Sequence, residues 1–203
     1  MKTVATSQRL RGRPREFDMD TALDAALRVF SERGYHAASI SELTEAMDLA
    51  AGSVYKAFGD KRGIFLAAFD RYRTVRRRSI DQRIAAAATG YEKIRALLTF
   101  YAESSFGPQG RQGCLVVGSA TELALFDEEA ANRVAFAFDA NEQLLVDLMH
   151  LGQRDGSVPS RLDVEKTART LLCLMKGMRL IGKTGRDRQQ MISVAETAMT
   201  LLN

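Results

Sequence analysis

The feature that most constrains this chain is the stretch from Ser39 to Lys61, SISELTEAMDLAAGSVYKAFGDK. Ile40, Leu43 and Met47 recur at helical spacing behind a potential N-cap, Ser39, and Asp48-Leu49 breaks that pattern after two turns. A second short helix is expected over about 50–58, with Val54 and Phe58 four residues apart and turned inward. Its other face is Ala51, Ser53, Tyr55 and Lys56, which is small, hydroxylated and basic. Two short helices joined by a tight turn form a helix-turn-helix. An outward face of this kind suits a phosphate backbone and the base edges of a major groove. The same pattern also describes an ordinary helical hairpin with a polar face.

Charge is placed to match. The 203 residues carry a net charge of +4, with 16 Lys+Arg against 11 Asp+Glu in residues 1–89 and 13 against 14 in residues 90–203. The positive field therefore belongs to the half with the helix-turn-helix, which points to a polyanionic partner for that half. Ahead of it, RLRGRPR sets Arg11, Arg13 and Arg15 around Gly12 and Pro14. That composition opposes helix and suits an extended arm able to enter a minor groove, or else a solvated basic tail.

Asp18 can cap a first helix of about 19–33, ended by Gly34, with Leu23, Leu27 and Phe30 inward. Tyr35 then either closes the small core or meets a phosphate. Lys61 opens a long helix to about residue 84, where its charge opposes the dipole, and a phosphate held by the ammonium and the free N–H groups would supply the reason. The basic run from Arg71 to Arg78 reads as a solvated face. AAAATG at 85–90 ends this helix. Residues 107–113 read as a Gly-rich break, followed by a buried helix through GCLVVGSATELALF and another from about Asp127 to Arg154. Two final helices are expected at about 162–184 and 187–202. With three prolines in the chain, the fold class is all-α.

The segment GSVYKAFGDKRGIFLAAFDRY resembles the signature of the tetracycline-repressor-like (TetR/AcrR) family, and TALDAALRVFSERGYHAASISELTEAMDLA is similar in spacing to that family's first two helices. The dense resemblance covers about residues 18–72. It implies a flexible basic arm at 1–17, a helix-turn-helix DNA-binding domain at 18–62, a connecting helix at 63–90 and an effector-binding and dimerisation domain at 91–203. It further implies a homodimer, joined through the last two helices, that binds a palindromic operator in double-stranded DNA through the helix at 50–58, and a small-molecule effector in the second domain. A twofold dimer is also what one short recognition helix needs to read enough base pairs. DNA contacts are expected from Arg11, Arg13, Arg15, Ser39, Ala51, Ser53, Tyr55, Lys56 and Lys61. The family often has a threonine in place of Ser39, and the hydroxyl is kept. Ala50, Ala51 and Gly52 offer few base contacts, so specificity is expected to rest on few side chains and on DNA shape.

The pool for an effector pocket is Phe100, Tyr101, Phe106, Cys114, Phe126, Phe138, Met149, Met175 and Met178, although each could equally be plain core. Cys114, near a helix start and close to Arg111, could instead be the receptor of a thiol-based sensor. Cys173 reads as core. A third reading is a non-specific DNA-binding protein without an effector. Catalysis is not indicated, because His36 and His150 lie far apart and no nucleotide-binding loop or metal spacing is present. No cofactor is implied, no segment is apolar enough to suggest a membrane partner, and a reduced, cytoplasmic setting is expected.

Overall fold

A computed structural model describes residues 18–203. Among these residues there are ten α-helices and no strand. They are α1 Met19–Ala37, α2 Ile40–Ala46, α3 Ala51–Phe58, α4 Lys61–Ala85, α5 Gly90–Glu103, α6 Gly107–Gln112, α7 Leu115–Glu122, α8 Glu128–Asp155, α9 Val164–Ile181 and α10 Arg188–Met199. Short 3-10 turns follow α9 and α10.

The helix starts are written in the sequence as caps. The Asp18 carboxylate accepts the Asp20 N–H and the Thr21 hydroxyl. Ser39 with Glu42, Thr89 with Glu92 and Asp187 with Gln190 form reciprocal capping boxes. Gly34 interrupts α1 as expected, at φ 80° and ψ 170°, and the helical turn resumes through Ala37. A Cβ there would meet the Glu122 carboxylate at 2.7 Å.

Two hydrophobic clusters result. The first joins α1, α2, α3 and the front of α4 around Phe30, Leu43, Val54, Ile64, Phe65 and Phe69. The Phe65 ring meets Phe30 edge-on at 5.2 Å and Tyr35 at 5.1 Å. This cluster does not stop at the helix-turn-helix: Leu115, Val116, Leu123, Ala130, Val134 and Ala137 of α7 and α8 belong to it. The second cluster takes Ile80 near the end of α4, with α5, the rear of α8, α9 and α10. Thus α4, about 37 Å long at 1.5 Å per residue, is built into both.

Four expectations change. Residues 107–113 are no open break, since α6 forms there with Pro108 in its first turn, where a missing N–H costs nothing. Gly110 and Gly182 both press on the backbone of Ser105, so these glycines serve close packing. The ELALF string does not continue α7. That helix ends at Glu122, Leu123 is buried, and Leu125 and Phe126 turn out to solvent. Cys173 is exposed rather than core, because Leu171, Met175 and Met178 take the inward positions of α9 and leave it on the opposite face. Of the basic run on α4, Arg71 pairs with Asp20 and Asp24 of α1, and Arg76 turns inward over aromatic rings.

Helix α5 lies tightly against α8. A Cβ on Gly90 would sit 2.2 Å from the Gly152 amide nitrogen, while the Gly90 N–H donates to Asp155 Oδ2 at 2.7 Å. Gly90→Ala is expected to destabilise the chain by about 1–3 kcal/mol through forced separation of these helices. A urea titration should show a lower midpoint with an unchanged slope.

Candidate nucleic-acid interface and effector cavity

The turn between α2 and α3 is made by Asp48, at φ 51°, and by the Leu49 N–H donating to the Thr44 carbonyl at 3.1 Å. It sets α3 so that Val54 alone is fully buried, with Phe58 half-buried beside it. Ala51, Gly52, Ser53, Tyr55, Lys56 and Ala57 all face solvent. No side chain caps the start of α3, so its first N–H groups are open to an anion. The recognition surface is therefore a bare, neutral-to-basic face on a helix pinned from behind by one valine and one phenylalanine.

Two expected contact residues have duties inside the chain. The Ser39 hydroxyl accepts the Glu42 N–H at 3.1 Å and donates to its carboxylate at 2.9 Å. Lys61 folds back to donate to the Ala38 carbonyl at 3.1 Å, with its ammonium 4.6 Å from the Tyr35 ring centre. Its ammonium thus has partners within the chain. Arg11, Arg13 and Arg15 lie outside the described residues.

The helix-turn-helix is tied to the rest by two polar joints. The Arg62 guanidinium meets Asp127 in a two-pronged bond, at 2.5 and 2.9 Å, and reaches Glu129 at 2.7 Å. The Tyr35 N–H, freed by the kink at Gly34, donates to Glu122 Oε2 at 2.8 Å. Both joints link the helix-turn-helix bundle to the turn between α7 and α8.

Behind α4 lies a cavity of about 210 Å³ between α4, α5, α8, α9 and the start of α7. Of the expected pool, Tyr101 and Cys114 line it. Phe100 packs beside it beneath Arg76, and Phe138 lies 5.3 Å from the Lys176 ammonium. Phe106 packs against the second cluster, and Met149, Met175 and Met178 are buried within it. Phe126, 80% exposed on the α7–α8 turn, is no part of it. The sequence reading missed Tyr72, Arg76, Asn141 and Lys176 in the wall. Tyr72 and Arg76 stand four apart on α4, a spacing that put them on one face but was hidden inside a basic run.

The wall is polarised. The Tyr72 hydroxyl donates to Cys114 Sγ at 3.3 Å, and the Tyr101 hydroxyl donates to Asn141 Oδ1 at 3.0 Å. Burial pushes Tyr101 up to about 12. Burial would raise the Cys114 thiol as well, but Arg179 and Arg76 outweigh it and hold the thiol below its ordinary value. Arg111, the neighbour in sequence, is exposed and takes no part.

The match to known proteins is direct. The description "Bacterial regulatory proteins, tetR family" fits residues 22–68, and "Tetracyclin repressor-like, C-terminal domain" fits residues 90–198. The chain belongs to the TetR family. A solved relative, the TetR family transcriptional regulator CifR in a cysteine-substituted form with a 26-base-pair operator DNA, is 31% identical, with a TM-score of 0.83 over 93% of this chain and 98% of that one. The transcriptional repressor ComR of Escherichia coli is 29% identical over 94% of this chain and 91% of its own. BdcR of the same organism, also a repressor, is 38% identical over 64 residues, 32% of either chain. This TetR-family regulator has the family's N-terminal helix-turn-helix and larger C-terminal helical domain. Among the described residues no helix is long and apolar enough to cross a membrane.

The bond from Arg62 holds Asp127 down to about 2, against 3.8 ordinarily. Its folded-state pKa is depressed, so its stabilising effect is complete above the ordinary carboxylate range and is lost as pH falls from about 4 towards 2. Arg62→Ala should therefore flatten the acid limb of the stability–pH curve in that window. Urea midpoints at pH 7 and pH 3 check this.

Proposed function

We propose that this TetR-family regulator is a repressor that binds a palindromic operator as a homodimer and leaves it when a small molecule occupies the cavity behind α4. The observation that carries the DNA reading is the outward face of α3. Ala51, Ser53, Tyr55 and Lys56 stand exposed on a helix whose inner side is locked to the bundle. Tyr55 and Lys56 are its two long side chains, and the open N–H groups at Ala51 and Gly52 suit one phosphate oxygen. Ser39 and Lys61 act mainly by fixing the entries of α2 and α4. The domain division is an N-terminal reader at 18–62, a connecting helix at 63–90 and an effector and dimer half at 91–203, with the basic arm at 1–17 following the minor groove.

The dimer is supported by the outer faces of α9 and its following turn. Leu180 and Ile181 are 54% and 45% exposed, and Leu201 is 41% exposed. Gly177 has open space where a Cβ would stand. Leu180 and Ile181 at the end of α9 and Leu201 in the turn after α10 are apolar side chains left outside the chain's own core, which suits a second copy related by a twofold axis. The thiol-sensor alternative is not favoured, as Cys114 is half-buried and already holds the Tyr72 hydroxyl.

Selection of bound sequences from a random DNA pool tests the reading. An enriched palindrome is expected, with a steep fall in affinity as salt rises. Lys56→Ala should weaken binding to all sequences alike and reduce the salt slope by about 1, whereas Tyr55→Ala should cost about 1–3 kcal/mol and relax the selected sequence. Absence of any enriched sequence would overturn operator-specific regulation.

A further inference from the structure

We infer that the cavity behind α4 takes a small organic anion, a carboxylate on a compact apolar body, held between Arg76 and Lys176. This rests on the ligand-responsive reading above and names the class of ligand.

The argument begins with charge. Arg76 and Lys176 both line the cavity, and no carboxylate does. Neither forms an ion pair with any described residue, although twelve such pairs occur among the described residues. Arg179, 1% exposed, lies behind the wall and acts on Cys114 and Tyr101 there. One of its nitrogens donates to the Gly113 carbonyl, while Nε and Nη1 have no partner. With Arg73 and Arg77, which also line it, five cations are thus gathered about one small space, and of these only Arg77, paired with Asp81, has a carboxylate partner.

What partners Arg76 and Lys176 do have are uncharged. The Arg76 guanidinium stands 4.6 Å from the Phe100 ring centre and 5.4 Å from that of Tyr101, with the Ser104 hydroxyl only at 3.5 Å. The Lys176 ammonium lies 5.1 Å from the Tyr101 ring centre and 3.5 Å from its hydroxyl. Ring faces attract cations but cancel no charge. The one thiol in the wall is that of Cys114, and a single thiolate there would still leave most of these charges unmatched.

The remaining wall selects the body of the ligand. Ile80, Val116, Ala137 and Ala140 supply apolar surface, and the Asn141 amide already serves Tyr101 and the Ala137 carbonyl. A bare inorganic anion would leave that surface unfilled, whereas a carboxylate with a ring or short chain would use both parts. Its charge can meet the guanidinium fork of Arg76 and the point charge of Lys176 together.

Protonation gives an independent readout. Sharing the cavity with Lys176 are Tyr72, Arg73, Arg76 and Arg77 of α4, Tyr101 of α5, Cys114 ahead of α7 and Asn141 of α8, with Arg179 acting from its own helix. Burial, helped by the two arginines, draws Lys176 down to about 8. A bound anion favours the charged ammonium, so binding should take up protons and weaken as pH rises past 8.

Isothermal titration of the full chain, without DNA, tests this with benzoate and hexanoate against benzamide and hexanamide. Saturable binding of at least one carboxylate is expected, at least tenfold tighter than its amide and weaker at pH 9 than at pH 7. Lys176→Met, which keeps the apolar stem, should lose tenfold or more for the carboxylate and leave the amide unchanged. Equal binding of acid and amide, no saturable binding of either acid, or an unaffected Lys176→Met variant would overturn the inference. The comparison of acid with amide on the unaltered chain stands even where a variant folds poorly. Benzoate that binds but leaves the operator complex intact supports the anion site and removes only its role as effector pocket.

Discussion

One helix holds this molecule together. α4 contributes Ile64, Phe65, Leu66 and Phe69 to the core beneath the recognition helix and Ile80 to the core of the second half. Between those ends it presents Tyr72 and Arg76 to the cavity. A close-packed interior transmits small shifts, since side chains there cannot compress. Anything that alters the lie of α4 at Arg76 therefore reaches the floor of the recognition helix at Phe65 and Phe69. Arg71, clamped to Asp20 and Asp24, carries α1 with it.

The first core also reaches beyond the helix-turn-helix, and this changes what must move. Leu115 and Val116 of α7, with Ala130 and Val134 of α8, are packed in with Phe30 and Phe65. Arg62 and Tyr35 are bonded to Asp127 and Glu122 on the same turn. A rotation of the DNA-facing bundle must either break these joints or carry the α7–α8 turn along. The charged, two-pronged bond of Arg62 to Asp127 favours carrying it.

Much of this was legible in the sequence, for identifiable reasons. Caps depend on single side chains next to the backbone they satisfy, so Asp18 and Ser39 mark their helix starts locally. Val54 and Phe58 fixed the inner face of α3 by spacing alone. Local signals failed where a distant partner decides. ELALF has the apolar content of a helix, yet Glu122 is engaged by Tyr35 from 87 residues away and the chain turns there. Cys173 looked like core among leucines because α9 is apolar on both sides, one for its own chain and one facing out. Gly110 read as part of a loose break, and only its approach to the Ser105 backbone makes it a close contact. Arg76 and Lys176 lie 100 positions apart, and nothing near either one marks it as facing the same cavity.

The two sets of basic residues work in opposite ways, and the difference bears on how a signal could pass. Lys56 and the open start of α3 are solvated, so they meet phosphate at little desolvation cost and lose affinity with salt. Arg76, Lys176 and Arg179 have already lost much of their water, and for Arg76 and Lys176 a cation–ring attraction worth about 1–2 kcal/mol each returns only part of that. An anion entering between them meets poorly compensated charge, so its attraction is strong over a short range. Such a ligand shifts the operator-bound and released states only by the difference in its affinity for them. Arg76 rides on α4 and Lys176 on α9, so the distance between the two charges varies with the tilt of α4. The state that lets both reach one carboxylate is the state the ligand selects.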